Sequence, residues 1–138
     1  KPKHLNTIYV ANSHMINKSI LKECHNEGFN DDELYGAYKI FLGTLVSDSR
    51  LKIINFLRFG RKNVSEIIEH IGLDQTQISH DLARLKQCGF VDVEADGKFR
   101  YYSINEKTIR PLLDIIEKHM SQHCVHILRE MKGGKHGK

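Results

Sequence analysis

Residues 63–104, NVSEIIEHIGLDQTQISHDLARLKQCGFVDVEADGKFRYYSI, decide the fold. Asn63 stands where it can cap a two-turn helix with Ile67, Ile68 and Ile71 inward, closed by Gly72. Asp74 caps a second helix in which Ile78, Leu82 and Leu85 fall at i, i+4 and i+7, and Gly89 stops it. Val91, Val93 and Ala95 then alternate with Asp92 and Glu94, which is the period of a strand. Asp96-Gly97 reads as a two-residue hairpin turn, and Phe99, Tyr101 and Tyr102 make the return strand. Helix, tight turn, helix and basic hairpin, in that order, predict a mainly α domain with a small β-hairpin, a winged helix-turn-helix. That shape puts its second helix into the major groove of DNA.

Upstream, Ser47 or Asp48 caps a helix that buries Leu51, Ile53, Ile54 and Leu57 and ends at Gly60, after which Arg61 and Lys62 read as a polar loop. Before that, Asn30 or Asp31 caps a helix with Leu34, Ala37, Tyr38, Phe41, Leu42 and Leu45 at helical spacing. Residues 1–29 are an N-terminal extension. It reads as a helix with Ile8, Met15, Ile16, Ile20 and Leu21 inward, stopped by Gly28, although the β-branched start (Thr7, Ile8, Val10) suits an extended chain equally. Downstream, a long last helix runs from Asn105, or from near Thr108 with Pro111 in its first turn, to about Lys132. The expected organisation is therefore an extension at 1–29, the winged domain with its C-terminal dimerisation helix at 30–132, and a flexible tail at 133–138.

Composition sets bounds on function. The chain of 138 residues is 40% apolar, which suits one globular domain, and its net charge of +4 allows an anionic partner. Cys24, Cys88 and Cys124 are odd in number and unclustered, which points to a reducing, cytoplasmic setting rather than a disulfide scaffold. No apolar run approaches roughly 18 residues, so no membrane span is expected. Phosphate-cradling glycine loops, GxSxG and HExxH are all missing, so no enzyme is expected.

The outer face of the helix after Asp74 carries Gln75, Thr76, Gln77, Ser79, His80, Asp81 and Arg84. Residues in the first two turns of a recognition helix reach bases, so Gln75, Gln77, Ser79 and His80 are candidates for base edges, with Thr76 on the same DNA-binding face. Arg84 and Lys86 are placed for phosphates, and Lys98 and Arg100 near the hairpin tip for backbone or minor-groove contacts. Asp81 repels phosphate, so it is expected at the edge of this face, paired with a Lys or Arg.

From Tyr38 to the end of the last helix, the sequence resembles the ArsR/SmtB metal-sensing repressors. The resemblance rests on SDSRLKIINFL (47–57), IGLDQTQISHDLARLKQCGFV (71–91) and VEADGKFRYYSI (93–104), with Ser79, His80 and Leu82 forming its Ser-His-x-Leu step. It implies a homodimer packed through the first and last helices, bound to an inverted repeat in double-stranded DNA and released by an effector. It also implies two metal sites, and the chain departs from both. The Cys-x-Cys positions of one are Asn63 and Ser65, and the ligand positions of the other are Glu106, Thr108, His119 and Gln122.

The last helix offers a different constellation. His119, His123, His126 and Glu130 are spaced 4, 3 and 4 along one face, a set that suits zinc, nickel or copper. The same residues flank an apolar stripe of Ile109, Leu113, Ile116, Met120, Cys124 and Ile127, expected to be the dimer interface. Metal binding, plain shielding of that stripe and a response to pH all fit the histidines. Cys24-His25 is a second, weaker candidate pair. The rival to a DNA-binding regulator is a winged-helix protein-interaction adaptor, and an ArsR-like regulator without a metal effector is the other alternative.

Overall fold

The computed structural model describes residues 17–136. By its internal contacts the chain divides into two units, Lys1–Val46 and Ser47–Lys138. In the first unit, α1 (Lys18–Asn26) and α2 (Asp31–Leu45) pack Leu21 against Leu34, with Cys24 on the same cluster. Gly28, at φ 91°, lets the chain turn between them. Asn30 starts α2 through a capping box: its side chain accepts from Glu33 N–H, and the Glu33 carboxylate accepts from Asn30 N–H. Along the rest of α2, Tyr35, Tyr38, Ile40 and Leu42 stay open, between 41% and 56% exposed, while Phe41 and Leu45 are half-buried. The positions read as inward at Ile8, Met15 and Ile16 lie outside the described residues.

The second unit holds α3 (Asp48–Leu57), β1 (Lys62–Asn63), α4 (Val64–Ile71), α5 (Gln75–Gln87), β2 (Val91–Asp96), β3 (Phe99–Ile104) and α6 (Ile109–His119). A π-helical turn (Met120–Cys124) and α7 (Val125–His136) follow. The helices α3, α4 and α5 start where their caps predict. Ser47, Asn63 and Asp74 accept from the N–H groups of Arg50, Glu66 and Gln77. The core is built from Ile53, Ile54 and Leu57 of α3, Ile67 of α4, and Ile78, Leu82 and Leu85 of α5, closed by Phe90, Val91 and Ile104. All are at most 2% exposed. Burying each such side chain contributes roughly 1.5–3 kcal/mol, and this seam is what fixes α5.

Three details differ from the sequence reading. The sheet has three strands, not two: Lys62 pairs with Tyr102 and Asn63 with Tyr101, giving the order β1-β3-β2. The pairing is made by the backbone, so the polar side chains of that segment carry no trace of it. The hairpin turn is centred on Gly97-Lys98, because Asp96 pairs with Phe99. Gly97 takes φ 62° and Lys98 stays at negative φ, so a single glycine satisfies the one position that needs it.

The last helix is also not continuous. At its π-turn Val125 N–H donates to the Met120 carbonyl, five residues back. One extra residue in a turn rotates everything after it by about 100°. Ile109 and Leu113 are 4% and 5% exposed in a single chain, so they belong to its own core and leave little surface for a second copy. The open apolar residues are Ile115 of α6, Met120 of the turn, and Ile127, Leu128 and Met131 of α7. α7 itself continues through Gly133 to His136, where a flexible tail was expected.

Arg58 ties the end of α3 to α6. Its guanidinium donates to Asp114 at 2.7 Å and to both Glu117 oxygens at 2.7 and 2.9 Å, and its carbonyl accepts from Arg110 at 3.1 Å. This two-pronged hydrogen bond holds the Glu117 carboxyl below the usual range, and that contact is also the main cause of the raised Arg58 pKa. A lowered acid stabilises the fold above its unfolded value of about 4.3 and loses that contribution as pH falls through the lowered one. Glu117 is 54% exposed, so water screens the pair. Arg58→Ala is expected to cost roughly 1 kcal/mol at neutral pH, and less at a strongly acid pH, below the lowered range in which the folded-state Glu117 carboxyl takes up its proton. Urea midpoints of parent and variant at both pH values check this, and an equal loss at both would remove Glu117 from the account.

Candidate nucleic-acid interface

The inward face of α5 is fully used by Ile78, Leu82 and Leu85, so its other side must face out. Gln75, Thr76, Gln77, Ser79 and His80 are all exposed in its first two turns. Arg84 is half-buried and Lys86 exposed in the last turn, where cations also complement the helix dipole. Lys98 sits in the hairpin turn with its Nζ 5.5 Å from the centre of the Phe99 ring, and Arg100 is exposed opposite Ala95. The recognition helix and the wing therefore both present their predicted residues to solvent.

Two residues behave differently from a solvated polar face. Asp81 does pair with an arginine, but from inside rather than from the edge: it is 2% exposed and bound to Ser49 Oγ at 2.6 Å and Arg50 Nη1 at 3.4 Å. Little near Asp81 in sequence signals this, because Arg50 and Ser49 lie 31 and 32 residues away, and only Gln77, one turn earlier, is a local partner. Arg61, read as loop, reaches across the wing to Glu94 at 2.7 Å and Asp96 at 2.9 Å, with its guanidinium 4.1 Å from the centre of the Tyr101 ring. Hydrogen bonds to Asp96 and then Glu94 raise its pKa. The two wing acids are thereby compensated beside Lys98 and Arg100, which a phosphate backbone would otherwise resist.

The histidines separate into local roles. His25 Nε2 lies 2.8 Å from Asp31 Oδ1, while its neighbour Cys24 turns to the Leu21–Leu34 cluster. His70 stacks on Phe56 at 3.8 Å. The rings of His119 and His123 stand 4.6 Å apart, His123 within the π-turn itself, and His126 and Glu130 follow on α7. Among the described residues, no three His, Cys, Asp or Glu side chains come together as a metal site. Asn63 is occupied as a helix cap and Glu106 pairs with Arg110, so two positions implied by the resemblance already have structural work. Among the described residues no helix is long and apolar enough to cross a membrane.

A family profile described as "Bacterial regulatory protein, arsR family" matches residues 47–93, from the cap of α3 into β2. A probable mercury resistance operon repressor of Streptomyces lividans is 33% identical over 73 residues, covering 53% of this chain and 58% of that protein. This chain therefore spans less than two thirds of that relative's length. The transcriptional repressor SdpR of Bacillus subtilis is 35% identical over 78 residues, covering 53% of this chain and 87% of SdpR. Among solved structures, the homodimeric winged helix-turn-helix DNA-binding domain Mb0332 of Mycobacterium bovis superposes with a TM-score of 0.62 at 26% identity, over 70% of this chain and 91% of that one. With the polar side of α5 exposed, the β2–β3 hairpin after it, and a relative 35% identical whose length is covered to 87%, the chain belongs to the ArsR family of winged helix-turn-helix regulators.

Proposed function

We propose that this protein is a dimeric DNA-binding repressor. The observation that carries the reading is the exposed first two turns of α5, Gln75 to His80, on a helix whose opposite side is locked into the core. Two copies place these helices in successive major grooves, about 34 Å apart, on a near-palindromic site. The dimer forms through apolar surface that a single chain leaves open, Tyr38 and Leu42 on α2 and Met120, Ile127, Leu128 and Met131 near the C-terminus. Homodimerisation of the Mycobacterium bovis relative supports this. Gln77 and His80 read base edges, Arg84 and Lys86 meet phosphates, and Lys98 and Arg100 grip flanking backbone. The reading does not depend on a metal effector; His119 and His123, whose rings stand 4.6 Å apart, would need further ligands to close a coordination shell.

The test is a binding profile over randomised duplexes. Gln77→Ala or His80→Ala changes the preferred base at a defined position, by roughly 1–3 kcal/mol of discrimination. Lys98→Ala weakens all sequences about equally and flattens the salt dependence. Three variants that all weaken binding with an unchanged preference would remove α5 as the reading element. A protein that selects no duplex would be an adaptor instead.

A further inference from the structure

Asp81 lies on the polar side of α5, one residue after His80, yet its carboxylate is sealed from water. Donors from two helices hold it. Ser49 and Arg50 approach from α3, and Gln77 Nε2 lies 3.3 and 3.2 Å from its two oxygens, one turn earlier on α5. A carboxylate only accepts hydrogen bonds, so the Gln77 amide must turn its nitrogen towards Asp81 and its carbonyl oxygen away. An exposed glutamine otherwise samples many rotamers, and that freedom is lost when it meets a ligand. Here the orientation is set before DNA arrives.

We propose that Asp81 is a positioning residue for sequence readout. It anchors α5 on α3 and presents the Gln77 carbonyl oxygen to a base-edge donor, the amino group of adenine or cytosine in the major groove. The proposal rests on the DNA-binding reading above. Asp81 itself makes no base contact, because its oxygens are enclosed by Ser49, Arg50 and Gln77. A buried pair that merely held α5 in place would affect all duplexes alike.

Selection from randomised duplexes, run with the unaltered protein, Gln77→Ala, Asp81→Asn and the double variant, separates the two roles, with melting temperatures measured alongside. Gln77→Ala is expected to relax the preference at one base pair of each half-site. Asp81→Asn relaxes the same base pair about fivefold and leaves the others intact, and the double variant relaxes it no further than Gln77→Ala alone. A lower melting temperature or affinity with an unchanged base profile overturns the proposal, as does an Asp81→Asn effect at a different base pair. If Asp81→Asn does not fold, Ser49→Ala, which removes the shortest donor to the carboxylate, must weaken preference at the Gln77 base pair; an unchanged profile there overturns it equally. Failure of the unaltered protein to select any sequence is a separate outcome, which overturns the DNA-binding reading and this proposal with it.

Discussion

Between about 50 and 200 mM salt, affinity for the preferred duplex is expected to fall roughly ten-thousandfold. In the proposed complex each copy brings Arg84, Lys86, Lys98 and Arg100 to the backbone, so a dimer would bring twice that set. Every phosphate neutralised releases condensed counterion and adds about 0.9 to the slope of log K against log salt, which gives a slope near −7. The net charge of +4 is too modest to produce this by long-range attraction alone. The local placement of cations on the last turn of α5 and on the wing has to supply it. Fluorescence anisotropy at four or five salt concentrations measures the slope directly. Lys98→Ala, lost from both copies, makes it shallower by about 2. A slope near −2 for the unaltered protein would mean that most of these cations never reach phosphate.

Leu85→Ala is expected to lower the free energy of unfolding by roughly 2–5 kcal/mol. Leu85 is fully buried on the inward face of α5, and that helix packs on α3, α4 and β2. Deleting most of its side chain removes the burial and leaves a cavity that a three-helix seam closes only in part. A domain of this size is commonly stable by only about 5–15 kcal/mol, so the change takes a large share of the total. Urea denaturation followed by circular dichroism checks it. DNA binding should weaken without any change in base preference, the opposite signature to Gln77→Ala. A cost below about 1 kcal/mol would show that α5 is anchored by something other than its apolar face.

Features written within a few residues of themselves were legible in the sequence. Asn30, Ser47, Asn63 and Asp74 all cap the helices they precede, because a cap needs only a short polar side chain and an N–H two or three residues on. The inward set of α5 followed from its spacing alone. What stayed hidden depends on distant partners. Lys62 and Asn63 form a strand only because Tyr101 and Tyr102 lie alongside them. Asp81 is buried only because Ser49 and Arg50 reach it from another helix, and Arg61 serves the wing from a segment that reads as loop. The stripe from Ile109 to Ile127 looks uniform in sequence, yet its first part closes the core and its later part stays open. Side-chain type records that a position is apolar, and not which surface will cover it.

The π-turn at Met120–Cys124 gives the C-terminal rod two independent facings. Removing a single amino acid from that turn would let ordinary hydrogen bonding run straight through and swing Ile127, Leu128 and Met131 about a quarter of the way around the axis. Nothing in the DNA-reading half would change. The direction in which those apolar side chains face can thus change through a one-codon gain or loss there, with α5 and the wing left as they are.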